Sequence, residues 1–205
     1  LIFVFFISCE KESPIETPVT IEPGAYYPAY PGSHWIYYSS YYNDTVIVSV
    51  EPEYRLHSFE SYNLNCFATD SVYVPFIGGN PYYGYSIPKE YYSPYPGSLN
   101  NGCIYLEPFL NEEIGVFFRK TTNVHGNGYT LSVDEKLDTL TVRGNLYSDI
   151  IVVLYEYNDQ FGNVVERAKT YYAKNVGKIK SIWLLNTNPA WTNTGVELIF
   201  YSINR

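Results

Sequence analysis

Apolar and polar positions alternate with a period of two along much of the chain, and Gly, Pro, Asn and Asp cut the runs at short intervals. That rhythm belongs to β-strands joined by tight turns. It is clearest over 138–185, where Arg143-Gly144-Asn145, the 158–163 segment and Asn175-Val176-Gly177 separate apolar or alternating runs. Strands over 137–142, 146–157, 164–173 and 178–185 are expected, paired antiparallel as a meander. Ile150-Ile151-Val152-Val153-Leu154 does not alternate, which predicts a central strand covered on both faces. Upstream, Asn43-Asp44 separates 35–42 from 45–50 and predicts a first hairpin. Weaker strands follow over 54–62 and 66–76. Short strands are expected at 103–106 and 115–121, Asn127-Gly128 marks a hairpin between 119–124 and 129–133, and 196–203 closes the chain. A short helix is allowed at 108–114 or within 86–92. The fold class is all-β or mainly β.

The 77–102 segment breaks the rhythm. Gly78-Gly79-Asn80-Pro81, Pro88, Pro94, Pro96-Gly97 and Asn101-Gly102 crowd into it. Such density opposes a regular helix or a central strand, and predicts a long loop or a set of short irregular pieces. Long loops of this kind are often functional. Tyr82, Tyr83, Tyr85, Tyr91, Tyr92 and Tyr95 give it an aromatic surface able to stack on sugar rings or bury into a protein partner. The bland alternative is that these tyrosines cover a sheet edge or fill the mouth of a half-barrel.

Composition supports the strand reading. Aromatics are 19% of 205 residues, with 24 tyrosines and no methionine, and tyrosine favours half-buried pleated surfaces. A chain of this length can bury a core without metals or disulfides. The net charge of −8, with no basic stripe, argues against nucleic acid as a partner.

The N-terminus carries a different signal. Leu1 to Ile7 is apolar, stops at Ser8-Cys9, and is followed by Glu10-Lys11-Glu12 and a Pro-rich polar stretch. Seven residues are too few to span a bilayer, which takes roughly 20 in a helix. The order of features is expected to be the tail of a signal peptide (1–8), an acylated Cys9, and a tether over 9–23 leading to one β domain over 24–205. The competing reading is an ordinary strand with a buried cysteine. In an exported protein Cys66 and Cys103 can form a disulfide, and two separate buried thiols fit the sequence equally well.

Three segments carry a family resemblance. Tyr27-Pro28-x-x-Pro31-Gly32-Ser33-x-Trp35-x-Tyr37 resembles the "YFPLKVGNSWTY" opening of bacterial, especially Bacteroidetes, cell-envelope lipoproteins. Leu140-Thr141-Val142-x-x-Asn145-Leu146 through Val153 is similar to their "VTVPAGTFKDVIVV" segment, and Tyr171-Tyr172-Ala173-Lys174-Asn175-Val176-Gly177-Lys178-Ile179-Lys180-Ser181 to "YFAKGVGLIKS". The resemblance implies a curved antiparallel sheet, a half-barrel or open barrel like that of periplasmic lipoprotein carriers, and an outer-membrane location on the periplasmic or cell-surface face. The 77–102 segment departs from the pattern. Cys9-Glu10-Lys11-Glu12 resembles the acidic signal that sends such lipoproteins to the surface. Thr45, Ser71 and Thr139 sit in Asp-Ser/Thr-apolar tripeptides like those O-glycosylated in the same bacteria, a modification that needs exposed turns.

Candidate chemistry is sparse. The three histidines, His34, His57 and His125, lack neighbouring ligands or bases, so packing or turn roles are expected and neither a metal nor a cofactor is implied. There is no G-x-S-x-G elbow and no phosphate loop. The acid pairs Glu112-Glu113 and Asp134-Glu135 are expected to point to opposite faces of a strand, as solvated turn acids. The sequence therefore predicts a noncatalytic envelope lipoprotein acting by protein contact, an accessory subunit of an outer-membrane assembly. A surface carbohydrate-binding module and a lipid carrier with an apolar cavity are the alternatives.

Overall fold

The structure is a computed structural model that describes residues 25–50, 55–59, 64–73, 82–86, 114–121 and 128–205. Its strands are β1 (His34–Ser39), β2 (Asp44–Ser49), β3 (Arg55–Phe59), β4 (Leu64–Tyr73), β5 (Tyr82–Ser86), β6 (Gly115–Thr121), β7 (Gly128–Val142), β8 (Asn145–Asn158), β9 (Val164–Ala173), β10 (Gly177–Leu185) and β11 (Gly195–Ser202). All join one eleven-stranded sheet in the order β3-β4-β2-β1-β11-β10-β9-β8-β7-β6, with β5 on β4. Every pairing is antiparallel. The sheet is curved and open, in agreement with the sequence reading. The last strand lies between β1 and β10, so the two ends of the described chain are held side by side. One 3-10 helix, Pro189–Trp191, interrupts the β10–β11 connection.

Two departures from the sequence reading have physical causes. Tyr82–Ser86, inside the segment expected to be irregular, forms β5. At Ser71 and Val72 β4 pairs with β2 on one side and with β5 on the other, while β3 takes the first half of β4. Among the described residues β5 pairs with β4 alone, and an edge position is one of the settings in which flanking Pro and Gly are tolerated. Second, 129–133 and 137–142 are not separate strands, because β7 continues through Asp134 with a bulge between Val133 and Glu135. A bulge adds a residue and turns the side chain that follows it. Asp134 and Glu135 therefore both reach Lys169, at 2.7 and 3.4 Å, rather than pointing to opposite faces.

The β8 run is covered on both faces as its lack of alternation predicts. Ile150 and Val152 join Trp35, Tyr37, Val48, Ile179 and Leu198 in one cluster. Ile151 and Val153 join Tyr26, Leu131, Val133 and Tyr172 in the other. The first cluster is roofed by the tip of the β7–β8 hairpin. Arg143 (φ 49°) and Gly144 (φ 82°) make its two-residue turn, the type whose twist suits antiparallel strands. Pairing of β8 with β9 stops at Ile150↔Ala173, and Asp149, with φ 52°, bends the chain there. Beyond the bend the tip crosses β9 and β10: Arg143 lies 3.9 Å from Glu197 on β11 and 5.1 Å from the Tyr38 ring centroid on β1. Val142 and Tyr147 are thereby buried against the core.

Candidate functional site

The sheet opens where β10 and β11 part. Their ladder covers only Lys180, Ser181 and Ile182 against Glu197, Val196 and Gly195. Past that point two side chains of β1 occupy the gap. Trp35 donates its indole Nε1–H to the Val176 carbonyl at 2.6 Å, and the Tyr37 hydroxyl donates to the Lys178 carbonyl at 3.0 Å. These aromatic donors replace the strand partner that β10 lacks at those carbonyls, as buried backbone acceptors require. Trp35 also stacks on Tyr27, with ring centroids 5.8 Å apart and planes 9° apart. Gly177, at φ 96°, lets the turn approach this indole: a Cβ there would sit 3.2 Å from Trp35 Nε1 and 3.6 Å from Pro28 Cδ. The three segments that carry the family resemblance thus meet in one packed junction. Its chemistry is structural, since every polar group just named is engaged with backbone.

Above the junction lies a cleft of about 540 Å³ between the hairpin tip and the end of β11, lined by Asn145, Tyr147, Ser148, Val176, Phe200 and Tyr201 among others. The size falls in the range of ligand pockets. Its rim is apolar and open to solvent: Leu146 is 70% exposed and Phe200 51%, with Ile199 and Tyr201 also exposed. Ile199 is the extra residue of a bulge in the β1–β11 ladder, which lets Ile199, Phe200 and Tyr201 reach the surface in succession while Leu198 stays buried. Tyr147 is buried at the base. Burial, and then the nearby Tyr201 phenol, push its pKa up, while a hydrogen bond with Asn145 pulls the other way. The base of the cleft thus carries a neutral phenol beside the Asn145 amide and the Ser148 hydroxyl, under an aromatic rim. Besides the two phenols, the described lining holds one ionisable group, Lys174.

A second cleft of about 230 Å³ lies on the paired end of β10 and β11, lined by Tyr38, Ser40, Lys180, Asn193 and Glu197 among others. Lys180 and Glu197 neutralise each other there at 3.0 Å. Next to it Tyr41 stacks on Trp191 with centroids 4.1 Å apart.

Of the residues singled out in the sequence, Tyr82, Tyr83 and Tyr85 fall on β5, in register with Val72, Ser71 and Ala68. Tyr91, Tyr92, Tyr95, Cys9, Cys103, His125 and the Glu112-Glu113 pair lie outside the described residues, as do the two allowed helices over most of their length. Cys66 is on β4 opposite His57. Thr45 is the second residue of β2, its N–H donating to Asp44 Oδ1 at 2.7 Å. Ser71 lies within β4, between β2 and β5, and Thr139 is exposed within β7. His34 packs its ring 5.6 Å from that of Phe200. Among the described residues no three His, Cys, Asp or Glu side chains are grouped to hold a metal. The cleft residues escaped sequence reading. The available signal was Leu198-Ile199-Phe200-Tyr201, four large apolar residues without alternation in a closing strand.

The chain matches no protein-family model and no curated protein. Two solved structures are similar to it. One is provisionally described as an exported protein with a YmcC-like fold from Bacteroides fragilis, 11% identical, covering 89% of this chain and 98% of that one with a TM-score of 0.38. The other is provisionally described as a lipoprotein from Parabacteroides distasonis, also 11% identical, covering 86% and 98% with a TM-score of 0.42.

Proposed function

We propose that this chain is a noncatalytic, lipid-anchored protein of the bacterial cell envelope that works by protein contact, as an accessory subunit of an outer-membrane assembly. The observation that carries the reading is the apolar rim of the larger cleft. Leu146, Ile199, Phe200 and Tyr201 are held outward by a hairpin tip and a strand end whose inner faces are packed core. Exposed apolar groups gathered on a rigid frame mark contact surfaces, and aromatic anchors at a preformed cleft are the groups that dominate binding energy. Anchorage at Cys9 rests on the apolar-Ser-Cys-acidic order of the N-terminus.

A surface glycan is the second reading, favoured by the Tyr41–Trp191 stack beside the smaller polar cleft. A lipid carrier has less support, because Trp35, Ile150, Val152, Ile179 and Leu198 pack together as one of the sheet's two core clusters.

The test is mild-detergent extraction from the native membrane, comparing the wild-type chain with a Leu146→Ser/Phe200→Ser variant. Co-purification of an outer-membrane protein in fixed ratio, lost in the variant, is the expected result. A wild-type chain that always runs as a monomer and crosslinks to no envelope partner would sink the proposal.

A further inference from the structure

The smaller cleft has two ends of different chemistry. At one, the rings of Tyr41 and Trp191 stack with centroids 4.1 Å apart, and Tyr41 is 39% exposed. The loop that carries Trp191 is bonded along its length. Trp191 N–H donates to the Asn188 carbonyl at 3.0 Å, the Thr194 hydroxyl to the Trp191 carbonyl at 2.6 Å, and Asn193 N–H to the Trp183 carbonyl at 2.7 Å. Ser40, just before Tyr41, exchanges hydrogen bonds with the Gly195 backbone. The aromatic platform is therefore fixed before any ligand arrives. Asn193 lines the cleft beside it, and its side-chain amide makes no hydrogen bond among the described residues.

At the other end Glu197 lies between two cations. Lys180 Nζ is 3.0 Å from one carboxylate oxygen and Arg143 Nη1 is 3.9 Å from the other. Among the described residues neither cation pairs with a further carboxylate. One acid balances one of them, so this end is positive in a chain whose net charge is −8. The Arg143 guanidinium sits over the Tyr38 ring, 5.1 Å from its centroid, and 3.9 Å is too long for a hydrogen bond. It is held in place with its donors unused among the described residues, and their fork matches a carboxylate. Tyr38 and Ser40 both line the cleft, and two residues of extended chain set the two ends about 7 Å apart.

We propose that the smaller cleft binds an acidic sugar, a uronic acid at the end of a surface glycan. The apolar C–H face of a ring lies on the Tyr41–Trp191 platform, hydroxyls meet the Asn193 amide, and the carboxylate meets Arg143. The volume of about 230 Å³ lies below the roughly 300 Å³ at which pockets for drug-sized ligands begin, which limits the occupant to a ring or two. A bare phosphate would use the cation and leave the rings idle, and a neutral sugar would use the rings and leave the charge unanswered. This inference rests on the glycan reading above, to which it gives a site and a charge, and leaves the contact role of the larger cleft untouched.

The test is calorimetric titration of the full-length chain with cellobiouronic acid and with cellobiose, which differ only in the carboxylate at C6 of the terminal ring. The acid should bind at least about tenfold more tightly, as a charged hydrogen bond allows, and its advantage should shrink in high salt. Arg143→Gln should bring the acid down to the cellobiose level without moving cellobiose, whereas Trp191→Ala should weaken both. Equal binding of the two sugars, or a preference that survives Arg143→Gln, overturns the proposal and leaves the glycan reading standing. Binding of neither sugar, or displacement of the acid by an equal concentration of inorganic phosphate, removes both.

Discussion

Replacing Gly177 by alanine should destabilise the protein through the junction it forms with Trp35 and Pro28. The residue has φ 96°, and its added Cβ would lie 3.2 Å from Trp35 Nε1. The backbone conformation costs an L-residue about 1–2 kcal/mol. Moving the indole weakens the 2.6 Å bond to the Val176 carbonyl, worth about 1 kcal/mol net. A total near 2–3 kcal/mol follows. Trp35→Phe removes the same bond, leaves a buried carbonyl without its donor and sheds apolar area, so about 2–3 kcal/mol is expected there too. The two changes are not independent. A phenyl ring carries no Nε1 for the alanine methyl to press on and no bond left to weaken, so the double variant should fall short of the sum by about 1 kcal/mol. Urea unfolding of the four proteins, followed by the fluorescence of Trp183 and Trp191, measures all the terms. A Gly177→Ala protein within about 0.5 kcal/mol of wild type, or strict additivity in the cycle, would refute the packing argument.

Other substitutions probe the bend, the acid pair and the buried phenol. Asp149→Val puts a β-branched residue at φ 52° and should cost about 1–3 kcal/mol, whereas Asp149→Gly should be neutral or better; thermal unfolding of the pair separates conformation from charge. Lys169→Met leaves Asp134 and Glu135 facing one another. Because the group is partly exposed, a loss of about 1 kcal/mol, shrinking in high salt, is expected. The hydrogen bond to Asp134 is the main cause raising the Lys169 pKa above 10.5, so in the wild type this contribution is complete below that pH and fades as pH rises through the shifted value. Tyr147 behaves alike. Its pKa is raised from 10.0, so the folded state holds its proton more tightly, and stability should decline as pH rises above 10. Tyr147→Phe should flatten its part of that decline, and an unchanged slope in alkaline urea titrations would count against burial as the cause.

Much of the sheet was legible because its strands obey local rules. Val164–Ala173 was bounded by Asn163 and Asn175, and the unbroken Ile150 to Leu154 run announced two covered faces before any partner was known. What stayed hidden depends on three-dimensional placement. The bulge that brings Asp134 and Glu135 to one side leaves no trace in hydrophobic periodicity, and it joined two expected strands into β7. The bend at Asp149 looked like an ordinary acid inside a strand, yet it folds the hairpin tip over the core and creates the cleft. Trp35 and Tyr37 were legible as part of a strand in the first hairpin; that their donors fill the parting of β10 from β11 follows only from the sheet order. Tyr82–Ser86 became a strand because β4 offered it an edge, a fact about a neighbour.

The contact role is tested most directly by placing a photoreactive residue at Leu146, and separately at Phe161, in cells that carry the native membrane. Both positions are exposed, at 70% and 78%, but they lie beyond opposite ends of β8's pairing with β9. If the cleft rim is the working surface, irradiation joins position 146 to one outer-membrane protein and leaves position 161 unjoined. Equal labelling at both sites, or none at 146, would contradict it.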